Sequence, residues 1–205
     1  MNLIEIGHFI VEVILILSLF RVSILFFKQG RNVDQNHKLF YSFAAILYGV
    51  VIGLDITLRI YEFTSPILIS NSKDWVNITA VVITLSALGL MIRESKPKIA
   101  RAPMILAFIP FLILAVYPFV ADTFVLKRFL FMLLEGGGIL IALLMYAHHY
   151  TKNSEYSIIL GFVILLALVV GLNLFAVQWV IVSQILAVFT VYGIHKTYTI
   201  KQLQF

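Results

Sequence analysis

The chain has 205 residues, is 61% hydrophobic and only 12% charged, and carries a formal net charge of +5 and no Cys. A soluble domain would be about half apolar and about a quarter charged, so that class is excluded. The missing Cys removes disulfides, thiolate metal sites and thiol catalysis. The basic residues lie between apolar runs, where membrane topology explains them and nucleic acid need not.

The apolar runs approach the ~20 residues needed to cross a bilayer. Taken in order they predict an all-α polytopic membrane protein, one helix-bundle domain with seven spans at about 4–27, 39–63, 75–92, 103–120, 129–149, 156–174 and 176–197. No Lys or Arg precedes the first run, and no small-residue cleavage site follows it, so it reads as a retained first helix. Lys28 to Lys38 forms the first loop, with a turn signal at Gly30-Arg31-Asn32. A polar stretch through Ser65-Pro66 and Asn71 to Asp74 reads as the second loop. Pro110 and Pro118 predict a kink in the fourth run. Asp122, Lys127 and Arg128 read as a short loop before the fifth. The region from Tyr156 to Tyr198 is too long for one span, and Gly171-Leu172-Asn173 splits it into a hairpin.

Seven spans put the termini on opposite sides. Lys28, Arg31, Lys38, Arg93, Lys96, Lys98, Arg101, Lys152, Lys196 and Lys201 then share one side, against Lys73, Lys127 and Arg128 on the other. Positive charge marks the cytoplasmic face, which predicts an external N-terminus and a cytoplasmic C-terminus. The expected location is a cell membrane, crossed several times, of the bacterial or archaeal inner-membrane kind.

With that orientation, a rise of ~1.5 Å per residue puts Glu12, Asp55 and Glu135 each roughly 10 Å below the outer edge, and Gln184 about 12 Å below it. Glu5, His8 and Glu12 share a helical face, as do Tyr48, Asp55, Arg59 and Glu62. Asn77 and Thr84 mark a polar face on the third helix. Trp75 and Trp179 read as interfacial belt anchors. Charged residues at the bilayer centre cost ~2.5–3.5 kcal/mol on insertion scales, and they usually face a partner, cavity or ligand. Glu135 is followed by Gly136, Gly137 and Gly138, which would admit another backbone or loosen the helix.

These residues support two readings. In the first, Glu12, Asp55, Glu135, Arg59, His8 and Gln184 line an outward-facing polar pocket that binds a small solute or cation, for transport or sensing. Glu135 would be the central ligand or proton carrier, Arg59 would hold Asp55 ionised, and His8 would gate protonation. In the second, the chain is a non-catalytic membrane subunit that packs against other membrane proteins or copies of itself, with the polar cluster as interhelical glue. Oxygen and imidazole ligands suit a divalent cation, but no tight metal motif is present and no cofactor is named by the sequence. His148-His149 and His195 at the inner helix ends are candidates to clasp a haem or metal. Asn77-Ile78-Thr79 matches a glycosylation sequon but lies at the membrane edge. No catalytic constellation is visible. Retinal proteins share the seven-helix layout, but the seventh run here has no Lys for a Schiff base. Sugar transporters of the three-plus-one-plus-three kind share size and topology, but their Pro-Gln signatures are missing. Neither comparison identifies the chain.

Overall fold

The computed structural model describes residues 3–32, 35–60, 66–95, 101, 103–121, 123–149, 158–164 and 180–203. All regular structure among them is helical. The elements are α1 (Leu3–Asn32), α2 (Asn36–Ile60), α3 (Pro66–Ser95), a 3₁₀ helix (Met104–Phe111) that continues as α4 (Leu112–Ala121), α5 (Phe124–His149), a helical segment 158–164, and α6 (Val180–Leu203). Among the described residues four helices are long and apolar enough to cross a membrane, with apolar spans Ile6–Arg31, Asn36–Leu58, Asn71–Glu94 and Val125–Ala147.

Several helices outrun the predicted spans. The polar stretch expected as a loop before Trp75 is helical from Pro66 onward. Proline suits the first helical position because its missing N–H has no partner there and its fixed φ already matches the helix. Lys127 and Arg128, also expected in a loop, lie in the first turns of α5. The Thr123 carbonyl starts that helix by accepting from the Lys127 N–H at 2.9 Å. The first connection is far shorter than the eleven-residue loop from Lys28 to Lys38, since α1 runs to Asn32 and α2 starts at Asn36. The hairpin expected at Asn173 lies outside the described residues.

The core is a set of helical stripes on segments that are apolar all round. On α1, Leu15, Leu19, Val22 and Phe26 are buried, while Leu17, Phe20 and Ile24 are exposed. Spacing of three and four residues puts the buried set on one face. That face meets Tyr41, Ala44, Ala45 and Tyr48 of α2. The exposed apolar residues form the outer surface that lipid would cover. Phe162 of segment 158–164 joins this core, with ring centroids 5.3 Å from both Phe26 and Tyr41, each edge-on. Gly161 packs the same segment against Ile194 of α6.

Helix directions follow from the paired positions. α1 and α2 are antiparallel, with Phe20 beside Gly49 and Ser23 bonded to Ser42 at 2.9 Å. The 3₁₀–α4 unit runs antiparallel to α3. Gly89 meets Ala107, and the Trp75 ring stands edge-on to Tyr117 at 5.0 Å. α3 and α5 are parallel: Asp74 meets Lys127, and eleven residues further along each helix Leu85 meets Gly138. α1 and α6 are parallel as well. Glu12 meets Gln184, and further along both helices Ser18 and Val22 share a cavity wall with Val188 and Val191.

The predicted irregularity in the fourth run takes the form of the 3₁₀ helix, which contains Pro110. Proline lacks the N–H and clashes with the carbonyl four residues back. The chain therefore uses tighter bonds here, such as Leu106 N–H to Pro103 O at 3.1 Å. A 3₁₀ helix rises ~2.0 Å per residue against ~1.5 Å in an α-helix, so the unit is about 31 Å long despite its few residues.

One close backbone approach locks this unit to α3. A Cβ at Gly89 would lie 3.3 Å from Ala107 Cα, whereas at Gly136 or Gly137 it would meet nothing within 4 Å. Gly89→Leu is therefore expected to lower the thermal midpoint of the detergent-solubilised protein by several degrees, the shift that about 1–3 kcal/mol of overpacking produces. Gly136→Leu is expected to leave it nearly unchanged. Equal midpoints for the two variants would remove the close-approach account.

Candidate functional site

Glu12 is 1% exposed on α1. Its Oε1 accepts from Gln184 Nε2 at 3.0 Å across to α6 and lies 3.5 Å from His8 Nε2 one turn earlier. The spacing of four residues puts His8 and Glu12 on one face, and the parallel packing of α1 and α6 brings Gln184 to the same level.

Asp55 on α2 forms an ion pair with Lys73 on α3. This pair forms because the stretch before Trp75 is helical and carries Lys73 down the flank of α2. Asp55 therefore has its counter-charge without Arg59, whose side chain lies outside the described residues. One residue along, Asp74 takes Lys127 of α5 at 2.5 Å. At the opposite end of the bundle His37 of α2 pairs with Glu94 of α3. Sequence reasoning misses Lys73, Lys127, His37 and Glu94 as site residues because it places all four in loops between the apolar runs. The available signal was opposite charge: two acids at one end of the second and third helices, with two lysines nearby in the chain.

Glu135 stands apart. α5 starts at Phe124, five residues before the predicted start. Counting on from the Asp74–Lys127 pair, Glu135 is level with Val82 of α3, which is about 12 Å deeper than the Asp55–Lys73 contact. The expectation that three carboxylates share one depth is thus corrected. Glu12 and Asp55 are level, as the antiparallel register of α1 and α2 requires, and Glu135 lies deeper. Its side chain borders a cavity of about 20 Å³ with Tyr48, Thr84, Leu85, Gly138 and Val163. Thr84 donates to the Ala80 carbonyl at 2.8 Å and is the hydrogen-bond partner of Tyr48. Glu135 Oε1 is buried without a hydrogen-bond partner. A cavity of this size holds about one water.

Gly138, at i+3 from Glu135, shares its face, and a Cβ there would come within 3.2 Å of Leu85. The helix is unbroken through all three glycines. The expected loosening is not seen, and the close neighbour of Gly138 is a side chain, with no backbone approach. Among the described residues no cluster of three metal-ligating side chains occurs. His148, His149 and His195 have side chains outside the described set.

The structure therefore joins Glu12, His8 and Gln184 into one contact, places Asp55 in a second, and leaves Glu135 in a third place. Comparison with protein-family models, curated proteins and solved structures finds no match.

The Asp55–Lys73 pair makes a direct test. Asp55→Lys or Lys73→Asp alone is expected to destabilise the bundle by like-charge contact in a partly buried place. Asp55→Lys with Lys73→Asp should restore much of that loss, with a coupling of about 0.5–3 kcal/mol in a double-mutant cycle. A cycle that closes to zero coupling would show that the two side chains act separately.

Proposed function

We propose that this chain is a seven-span membrane protein with an external N-terminus and a cytoplasmic C-terminus, and that it takes up a proton or one small cation on Glu135, in transport or sensing. The observation that carries the reading is the buried Glu135 Oε1 with no hydrogen-bond partner, beside a water-sized cavity that also receives Tyr48 and Thr84. A carboxylate in hydrocarbon needs a compensating charge from a side chain, a proton or a cation. Asp55 and Asp74 have lysines for this. Glu135 has oxygen-bearing neighbours and room for something the size of a water, which suits a proton or a small cation and is too small for an organic solute. Glu12, His8 and Gln184 form the polar layer above it on the outer side, and Asp55 belongs to the same level with Lys73 as its fixed partner.

The parallel pairs support the seven-span count. If α3 and α5 run the same way, the 3₁₀–α4 unit between them returns across the membrane, and its length of about 31 Å matches the ~30 Å hydrocarbon layer. If α1 and α6 also run the same way, the chain between α5 and α6 crosses once more. Charge supports the orientation: the external end carries Asp55, Asp74 and their lysines, and the cytoplasmic end keeps the excess of Lys and Arg.

The second reading, a non-catalytic membrane subunit held together by polar glue and packed against other membrane proteins or itself, is favoured by one observation. Every ion pair named above is satisfied within the bundle, while α5 exposes Met132, Leu133, Leu140 and Leu144 to its surroundings.

Topology is checked by reporter fusion. A reporter after Phe205 is expected in the cytoplasm and one before Met1 outside. Both on one side would demand an even number of spans. The Glu135 site is checked with an apolar carbodiimide and mass spectrometry on the full chain in detergent. Glu135 is expected to be modified at low pH, with modification falling as pH rises for a proton site, or suppressed by Na⁺ or Li⁺ for a cation site. No modification of Glu135 at any pH, together with a Glu135→Gln variant altered only in stability by ~1–2 kcal/mol, would reject the uptake reading in favour of glue.

A further inference from the structure

A second space, far larger than the one beside Glu135, lies elsewhere in the bundle. It is a groove of about 590 Å³ between α1 and α2, at the end of the bundle where α1 finishes. Lys28 and Arg31 stand at its mouth, Ser23 and Ser42 at its floor, and Ile24, Phe27, Phe43 and Ile46 form the rest of the wall. We infer that this groove binds an anionic phospholipid, with the phosphate held by Lys28 and Arg31.

The order of groups along the groove carries the inference. Lys28 and Arg31 are three residues apart in the last turns of α1 and share a face. Both are exposed. Their apolar stems can lie along the wall while their charged ends reach the headgroup layer. Ser23 is five residues deeper than Lys28, or about 8 Å along the helix. The two serine hydroxyls bond each other at 2.9 Å, which uses one of their two protons and leaves one to donate. Around and beyond them the wall is apolar, with Ile24, Phe27 and Phe43 all about half exposed. Cations at the edge, a hydroxyl donor below and then hydrocarbon repeat the sequence of phosphate, ester and acyl chain in a phospholipid.

Charge complementarity selects the anionic class. Among the described residues no carboxylate lines the groove. At the other end of the bundle Lys73 and Lys127 each meet an aspartate, so the fold supplies acids where it neutralises cations itself. Lys28 and Arg31 project instead into the layer where lipid phosphates lie, and each cation near an anionic surface contributes about 1 kcal/mol of attraction. The inference needs only that this end meets a headgroup layer, not a particular leaflet or a proton at Glu135.

The test uses native mass spectrometry of the full chain in neutral detergent, with phosphatidylglycerol and phosphatidylcholine of identical acyl chains. Wild type is expected to retain the anionic lipid in preference to the zwitterionic one. Lys28→Gln with Arg31→Gln should reduce that preference by roughly 30-fold, about five-fold for each cation. Arg101→Gln with Lys196→Gln, the same change of net charge at exposed residues that do not line the groove, should leave it intact. Soluble glycerophosphate in excess should not displace the lipid, because the chain-binding wall contributes to retention; displacement would mean a phosphate site and not a lipid site. No preference in wild type, or equal loss in both double variants, would overturn the proposal. Should the Lys28/Arg31 variant not fold, Phe43→Trp in the otherwise native chain gives a second readout. Its fluorescence should be quenched more by chain-brominated phosphatidylglycerol than by the brominated phosphatidylcholine, and equal quenching would overturn the proposal as well.

Discussion

A polar group in hydrocarbon must find its partner inside the protein, because lipid offers none. Helices meet this demand for the backbone, and among the described helices four neighbouring pairs also carry a polar tie. Glu12–Gln184 joins α1 to α6, Ser23–Ser42 joins α1 to α2, Asp55–Lys73 and His37–Glu94 join α2 to α3, and Asp74–Lys127 joins α3 to α5. The charged ties sit toward the helix ends and the waist between them is packed by apolar side chains. Side-chain hydrogen bonds between membrane helices average only ~0.6 kcal/mol, because helices separated in the membrane also find partners. The ties therefore add little to cohesion compared with the dispersion of so many packed side chains. Their larger effect is on register, since sliding a helix by one turn would leave a carboxylate facing lipid.

That distinction explains what could be read from sequence. The apolar runs give the helices, because composition and length alone distinguish a span. The i, i+4 spacing of His8 and Glu12 gives their contact, because it depends on a single helix. Lys73 was not legible as the partner of Asp55. The stretch Ser70-Asn71-Ser72-Lys73-Asp74 is polar, and polarity between two apolar runs reads as a loop, although at a membrane edge a polar helix end is equally well solvated. The same error moved the start of α5 by five residues, which is about 7.5 Å along a helix. This accounts for more than half of the roughly 12 Å by which Glu135 lies deeper in the bundle than Asp55. Depth counted from an apolar boundary inherits the error of that boundary. A contact between two helices does not, which is why Asp74–Lys127 fixes the level of Glu135.

The placement of Glu135 then follows from the stripe it belongs to. Phe131, Glu135, Gly138 and Ala142 succeed one another at intervals of four, three and four, so they share the inward face of α5. Phe131, Gly138 and Ala142 are buried on that face, while Met132, Leu133 and Leu140 point away. A leucine at position 138 would overlap Leu85, which a Cβ would already meet at 3.2 Å. Glycine instead lets α3 stand close, and this proximity brings Thr84, with Tyr48 bonded to it, to the border of the Glu135 cavity. Gly136 and Gly137 have no such neighbour, so of the three consecutive glycines only the last shapes the space beside the acid. A full-sized apolar residue in place of Glu135 would fill that space and satisfy the packing without any polar partner. The carboxyl at this core position, with small residues on its C-terminal side, is what leaves both an unbonded oxygen and room for one small guest next to it.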